Sequence, residues 1–275
     1  MSENGASSLP PVPHEDTKIW RYLDFTQLLS IVERSSLWFS RADTFNDPLE
    51  GSYSRVNVDN RRNVYENTEI PEERIDELVE DQSVSAKLHR NSSYINCWHI
   101  NDRESMAMWE LYSLEGQGIA IQSRIDRMKK ALRSEGGKIN REDTPVEEDL
   151  PREKIFTIGA VRYIDYDEHW IPEGNMYSPL FHKRLSYQHE KEFRIATSRF
   201  FELLEQAEGG VNTIDEVNLP VGMYMEVDVE ELIENIHVSP TAPDWFLELI
   251  EDVLSKYSID TECVTRSSLV EDPVF

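Results

Sequence analysis

Two glutamates in the segment 187–194, YQHEKEFR, have the spacing of a chemical site. If this segment is a strand, its period of two places Gln188, Glu190, Glu192 and Arg194 on one face. Neighbouring carboxylates repel each other, which raises the pKa of one of them, or they share a cation. Such a pair suits acid–base catalysis or the stabilisation of a cationic transition state. Alternatively, Glu192 pairs with Arg194 or Arg21 and only joins two strands.

Four other short segments mix aromatic and charged residues in the same way: IWRY (19–22), FNDPLEG (45–51), CWH (97–99) and MWELY (108–112). Buried charge is costly unless it is paired, so these mixtures predict a single polar cleft. Glu192 and Glu190 are its candidate catalytic residues. Its candidate ligand-binding residues are Arg21, Tyr22, Asn46, Asp47, Glu50, His99, Trp109 and Arg194.

Two of these segments also have purely structural interpretations. Asp47-Pro48 is typical of a turn, although Glu50 followed by Gly51 would also let a ligand approach the backbone. Cys97 lies two residues from His99, as in a thiol nucleophile with its base, but a buried strand cysteine has the same spacing.

Cys97 and Cys263 fit two reduced thiols. The scattered histidines form no zinc motif, and no metal site is predicted.

The predicted helices and strands that position these residues follow one another in an irregular order. Asp24 and Gln27 form a capping box for a helix over 25–34, and Ser36–Ser40 and Tyr94–His99 are predicted strands. Asp102 should cap the helix of MWELY, and Thr241 with Asp244 should cap a helix over 243–257. A long strand is expected over 156–166. Without a steady βαβ alternation, we predict a single α+β domain over 17–275 with short strands around a cleft.

Several segments are predicted to lie outside the core. Residues 1–16 are expected to form a disordered tail, and acidic excursions are expected at about 66–92, 134–153 and 204–218. No apolar run approaches the ~18 residues of a membrane span. No signal peptide is recognisable, so a cytoplasmic location is expected.

The composition limits the partners. The formal net charge is -25, with nine lysines and nineteen arginines. No basic stripe is visible, which argues against an extended nucleic-acid surface but leaves a local cationic pocket for a small-molecule or nucleotide ligand. The acidic, lysine-poor composition fits a protein from a high-salt cytoplasm as well as an ordinary acidic protein. A protein partner cannot be identified from these residues.

The order of these segments resembles a largely microbial family, domain of unknown function 2971. The resemblance runs from about Lys18 to Leu269, and FNDPLEG and EKEFR are its most specific parts. The family carries no established activity, so this resemblance implies no chemistry.

A second resemblance does imply chemistry. An Arg-Tyr strand, a helix, a second strand and a late ExE strand are similar to ADP-ribosyltransferases of the Arg-Ser-Glu type. The resemblance implies NAD as ligand, with Arg21 on its phosphates, Glu192 stabilising the ribose cation and Glu190 facing the acceptor. The middle strand departs from that type, because Asn96-Cys97-Trp98-His99 stands in place of a Ser-Thr-Ser-like motif.

Two alternatives remain open. One is a metal-dependent hydrolase or nuclease-like enzyme that uses Asp47, Glu50, Glu190 and Glu192 around a divalent cation. The other is a noncatalytic sensing or interaction module, in which the same residues form a static ion network.

Overall fold

The computed structural model describes residues 10–65, 68–112, 116–140, 152–206 and 219–269. Within them the α-helices are α1 Phe25–Arg34, α2 Arg55–Asn60, α3 Glu72–Ser92, α4 Met106–Tyr112, α5 Ile125–Ser134, α6 Phe200–Gln206, α7 Val229–Leu232 and α8 Asp244–Lys256. The strands are β1 Lys18–Leu23, β2 Ser36–Arg41, β3 Ser93–Ile100, β4 Ile119–Arg124, β5 Lys138–Ile139, β6 Ile155–Ala160, β7 Arg162–Ile164, β8 His182–Arg184, β9 Glu192–Ser198, β10 Gly222–Glu226, β11 Asn235–Val238 and β12 Val264–Arg266. The predicted α+β class is confirmed.

Ten of these strands form one mixed sheet in the order β12-β11-β4-β1-β3-β9-β6-β5, from which β2 and β10 branch at β3. Strands β7 and β8 form a separate parallel pair. Most neighbours in the large sheet are antiparallel, with parallel pairs only at its two ends, β11 with β12 and β5 with β6. Most of the sheet is therefore built from antiparallel pairs of strands that lie far apart in the sequence, and β11, α8 and β12 form a parallel βαβ unit at one end.

The main core lies on one face of this sheet. Apolar side chains of α1, α5 and α8, such as Leu28, Met128 and Phe246, pack there against strand residues such as Ile121 and Ile195. The opposite face carries two smaller clusters, one around Trp20, Tyr22 and Trp109 and one around Leu180 and Phe181. Because side chains alternate along a strand, each central strand contributes to both faces.

The capping box of α1 is confirmed: Asp24 Oδ1 accepts a hydrogen bond from the Gln27 amide, and the Gln27 side chain accepts one from the Asp24 amide. Two other predicted caps were wrong. Helix α4 begins at Met106, four residues beyond Asp102. Helix α8 begins after Pro243, which has no capping side chain, and the Thr241 hydroxyl instead lies 3.3 Å from the Ser239 hydroxyl.

Two predicted strands also differ. The segment Leu185–Glu190 is a 3₁₀ helix that ends at Lys191 in the left-handed conformation, so β9 begins only at Glu192. The expected strand over 156–166 is broken at Val161, whose amide bonds to the Glu192 carbonyl, and β7 continues beside β8. In both places tertiary hydrogen bonds override the local alternation.

Part of the expected N-terminal tail is packed. The Ala160 amide donates to the Pro11 carbonyl at 2.8 Å, and Lys129 pairs with Glu15. Residues 10–16 thus lie against the domain, whereas residues 1–9 lie outside the described part. The excursion expected at 66–92 contains α3. Most of those expected at 134–153 and 204–218 lie outside the described residues. Within the described chain, no helix is long and apolar enough to cross a membrane.

Candidate functional site

The candidate site lies at a fork in the large sheet. Strands β1 and β3 are paired only through Ile19 with Ile100 and Trp20 with His99. Beyond that point β3 pairs with β2, starting at Ile95 opposite Ser40. The strands therefore diverge beside Arg21, and the carbonyl of Cys97 is left facing the gap.

A cavity of about 170 Å³ occupies this fork. Its lining includes Arg21 and Tyr22 from β1, His99 from β3, and both Glu190 and Glu192. Aromatic side chains, among them Trp38 and Tyr112, complete the wall. Five of the ten predicted site residues thus converge on one cavity, although they come from sequence positions up to 171 residues apart.

Arg21 is the cation of this cavity. Within the part of the chain that the structure describes, its half-buried guanidinium donates one hydrogen bond, from Nη1 to the Cys97 carbonyl at 2.8 Å. No carboxylate of the described chain lies within ion-pair distance of it, and burial lowers its pKa. Since an arginine has five N–H donors, the remaining ones are available to an anion.

Arg194 is in the opposite situation. It is fully buried, and its guanidinium forms two hydrogen bonds to the Glu50 carboxylate, at 2.5 and 3.0 Å. Its Nε also donates to Glu192 Oε2 at 2.5 Å, and Nη1 donates to the Leu180 carbonyl at 2.5 Å. Each of the three guanidinium nitrogens therefore donates at least one hydrogen bond within the protein, two of them in a bidentate pair with Glu50. Arg194 is thus part of the scaffold and is not available to a ligand.

Lys183 connects the two candidate catalytic residues. Its Nζ lies 2.6 Å from Glu192 Oε1 and also pairs with Glu190. Together with Arg194 and Glu50 these groups form an ion network of three carboxylates and two cations. The excess of one carboxylate means that the network binds a proton easily.

That proton belongs to Glu190. Burial, together with a hydrogen bond to Glu192, raises the pKa of Glu190 to about 7. Burial also opposes ionisation of Glu192, but the charges of Arg194 and Lys183 hold its pKa well below the usual range. Two adjacent carboxyl groups with separated pKa values are the arrangement that assigns one to proton transfer and the other to charge stabilisation.

His99 adds an acceptor to the same cavity wall. Its Nδ1 lies 2.6 Å from the Glu190 carbonyl, so Nδ1 carries the proton and Nε2 the lone pair. This Nε2 is buried and has no hydrogen-bond partner in the described chain. Burial lowers the pKa of His99, which keeps the ring neutral.

Cys97 is a free thiol whose pKa is raised by burial, which argues against a thiolate nucleophile.

The FNDPLEG segment supports the site from outside the cavity. Asp47 accepts from the Leu49 amide at 3.0 Å, as expected of an Asx turn, and pairs with Arg184 at 2.7 Å. Asn46 is exposed, and Glu50 is connected to the site through Arg194 and, at 3.9 Å, through Lys183. Gly51 has a φ of +68°, and Leu180, Ala42 and Arg90 surround the position of a Cβ there, so packing explains this glycine.

The remaining predicted residues differ in role. Tyr22 lines the cavity, and its hydroxyl accepts from the Ser105 amide at 2.7 Å. Trp109 lies behind Tyr22, with ring centroids 5.1 Å apart, and donates to Glu104 without lining the cavity.

Sequence reasoning missed Lys183, which lies in the segment FHKR at 181–184. That segment mixes an aromatic residue with charges in the same way as the five segments named in the sequence analysis. A charge count would have given a second signal, because the three carboxylates of the network exceed the single cation Arg194.

The described residues offer no cluster of three or more metal-ligating side chains. The carboxylates proposed for a divalent cation are already engaged, Asp47 by Arg184 and Glu50 by Arg194. A metal-dependent hydrolase is therefore not favoured.

No protein-family model and no curated protein matches the chain. The expected membership of domain of unknown function 2971 is thus not supported by the comparison. One solved structure with detectable similarity is Thermus sp. 2.9 DarT in complex with ADP-ribosylated ssDNA. The match covers 94% of this chain and 100% of that chain, at 10% sequence identity and a TM-score of 0.35. Similarity at this level assigns neither activity nor ligand.

Proposed function

We propose that this protein binds NAD in the sheet fork and transfers its ADP-ribosyl group to an acceptor. The observation that carries the proposal is the position of Arg21, a cation with no carboxylate partner in the described chain. It faces the same cavity as the ionised Glu192 and the proton-binding Glu190.

The cavities on the two sides of Arg21 support a ligand with two ends. A second cavity of about 320 Å³ adjoins the first and shares Arg21, Gln27 and Trp38 with it. A dinucleotide consists of two nucleosides joined by a diphosphate, so Arg21 at the junction is suited to the diphosphate. Trp38 and Tyr224, with ring centroids 4.9 Å apart, offer an aromatic wall to a base in the second cavity.

The glutamates supply the chemistry of the transfer. Cleavage of the bond between nicotinamide and ribose releases neutral nicotinamide with the electron pair and leaves positive charge on the ribose. An ionised carboxylate such as Glu192 stabilises that charge in a site from which water is excluded. Glu190, deprotonated above a pKa of about 7, then accepts the proton that the acceptor loses as its new bond to the ribose forms.

The test is Arg21→Met, which removes the charge and retains most of the side-chain volume. Hydrogen bonds to charged groups contribute about 1.5–3 kcal/mol, so the Kd for NAD in titration calorimetry should rise by about 10- to 100-fold. Arg162→Met, at an exposed arginine of β7, is the control and should leave the Kd unchanged. If wild-type protein does not bind NAD, or Arg21→Met binds it equally well, the proposal is refuted.

A second candidate is a nucleotide-binding module without catalysis. It is favoured by the bonding of Glu192, since one of its oxygens faces Lys183 and the other faces Arg194. This candidate predicts NAD binding through Arg21 without release of nicotinamide.

A further inference from the structure

A larger cavity, of about 570 Å³, lies away from the fork. Its walls are α3, the start of α6, and the segments 51–65 and 173–179. None of Arg21, Lys183, Glu190, Glu192 or Arg194 lines it. Cavities of this volume are typical of sites for small organic ligands.

Arg61 makes this cavity unusual. Only 6% of its surface is exposed, yet no carboxylate of the described chain lies within ion-pair distance of it. Its Nη1 donates to the Ser83 hydroxyl at 2.8 Å, and its guanidinium carbon lies 5.6 Å from the centre of the Tyr53 ring. A buried cation without a counter-ion is costly, and an anion in the cavity would offset that cost.

Gln82 adds a second unfilled polar group. Its Nε2 donates to the Tyr65 hydroxyl at 2.9 Å, but its buried Oε1 accepts no hydrogen bond within the described chain. An unsatisfied buried acceptor fits a ligand that brings an N–H or O–H donor.

Much of the remaining wall is aromatic or apolar. It includes Tyr53, Tyr65, Leu78, His89, Met176 and Phe200. Burial lowers the pKa of His89 to about 4, so its ring stays neutral, and it packs edge-on against Phe200 with centroids 5.6 Å apart. Flat rings are favoured against such a surface. Asp81 and Glu173 also belong to the wall, and their charges disfavour a multiply charged anion.

We propose that this cavity is a second ligand site for a small aromatic carboxylate that carries an N–H donor. The single negative charge pairs with Arg61, the N–H donates to Gln82 Oε1, and the ring packs against Tyr53 and Phe200. Free aromatic amino acids and indole acids share this chemistry. A nucleoside monophosphate has the ring and the donor, but its phosphate carries more charge than the acidic wall favours.

Titration calorimetry with four probes tests the proposal: L-tryptophan, indole-3-acetate, tryptamine and adenosine 5′-monophosphate. Either or both of the first two should bind with a Kd below about 1 mM. Binding of L-tryptophan alone identifies the amino acid as the source, and binding of indole-3-acetate shows that the ammonium group is dispensable. Tryptamine lacks the carboxylate and should not bind.

Two variants locate the binding. Arg61→Met should raise the Kd by about 10-fold or more, because a charge-assisted hydrogen bond is lost. Ala86→Phe keeps every charge and fills the cavity from α3, so it should abolish binding even if Arg61→Met does not fold. Arg55→Met, at an exposed arginine paired with Asp167 at 3.3 Å, is the matched control.

The proposal is overturned if neither carboxylate binds, or if neither Arg61→Met nor Ala86→Phe weakens the binding. It is also overturned if tryptamine or the nucleotide binds as tightly as the carboxylates at this site. Because the proposed NAD site lies at Arg21 in another cavity, the presence or absence of NAD binding does not affect these outcomes.

Discussion

The two arginines nearest the candidate site differ in every respect that decides their function. Arg194 is fully buried, and Glu50 and Glu192 neutralise it through three hydrogen bonds. Among the described residues, Arg21 makes one hydrogen bond, to a backbone carbonyl in the fork of the sheet. The comparison teaches that burial of an arginine does not by itself indicate a ligand-binding group. N–H donors that have no acceptor in the described chain do indicate one, and Arg21 has such donors.

The ion network and the fork depend on each other. Arg194 and Lys183 hold Glu192 at the cavity in its ionised form, and Glu50 fixes the position of Arg194, so the paired charges of the network position the groups that line the cavity. Buried ion pairs contribute little net stability because desolvation offsets their attraction. We therefore interpret the network as a device that orients Glu190 and Glu192.

The largest expected effect is the difference in stability between the Arg194→Met and Arg21→Met variants. Arg194→Met leaves Glu50 and part of Glu192 buried without their partner, which costs about 3–5 kcal/mol. Arg21→Met leaves no carboxylate unpaired and should change the free energy of unfolding by no more than about 1 kcal/mol. Urea unfolding of both variants measures the difference. Equal losses would show that Arg21 is as structural as Arg194.

The next effect concerns activity. Glu192→Gln retains shape but removes the charge proposed to face the ribose cation, so the rate of nicotinamide release from NAD should fall on the order of 100-fold. Steady-state assays, corrected for the folded fraction, measure it. Glu262→Gln, in the short 3₁₀ helix before β12, is the control. A destabilised Glu192→Gln whose folded fraction keeps full activity would restrict Glu192 to the ion network.

The smallest effect is a dependence of stability on pH. The pKa of Glu190 is about 7 in the folded protein and about 4.3 when unfolded, so between these values the folded state binds the additional proton. Its stabilisation is therefore complete below about pH 4.3, falls as the pH rises to about 7, and is absent above that.

Unfolding free energies of wild-type protein and Glu190→Gln at pH 5, 6, 7 and 8 test this direction. The wild-type value should decline relative to the variant up to about pH 7 and then run parallel to it. Parallel curves throughout would mean that Glu190 is already ionised at pH 5.

Some of the predictions that rest on local chemistry were confirmed, whereas the caps predicted at Asp102 and Thr241 were not. The Asp24–Gln27 box set the start of α1, and apolar alternation located the strands that became β2 and β3. The charged aromatic segments led to five of the residues around the fork cavity. Whether Glu192 is catalytic and whether NAD binds remain predictions.

The sequence could not reveal how the charges pair. Asp47 and Glu50 are close together in the chain, but Asp47 binds Arg184 and Glu50 binds Arg194, which lies 144 residues away. Glu190 was expected on a strand with Glu192, yet the left-handed Lys191 separates the two. These outcomes depend on the position of the FNDPLEG turn beside Arg184 and Arg194, which local propensity does not contain.

By itself, the sequence determined an acidic α+β protein with a set of charges that had to be either paired or used, because unpaired charge is costly in a core. Only the tertiary structure decided which of these charges are paired and which are available to a ligand. The divergence of β1 from β3 leaves Arg21 with a backbone carbonyl, whereas the approach of the FNDPLEG turn and β8 to β9 neutralises Arg194. The same residue type thus becomes scaffold or candidate ligand-binding group according to which strands are neighbours.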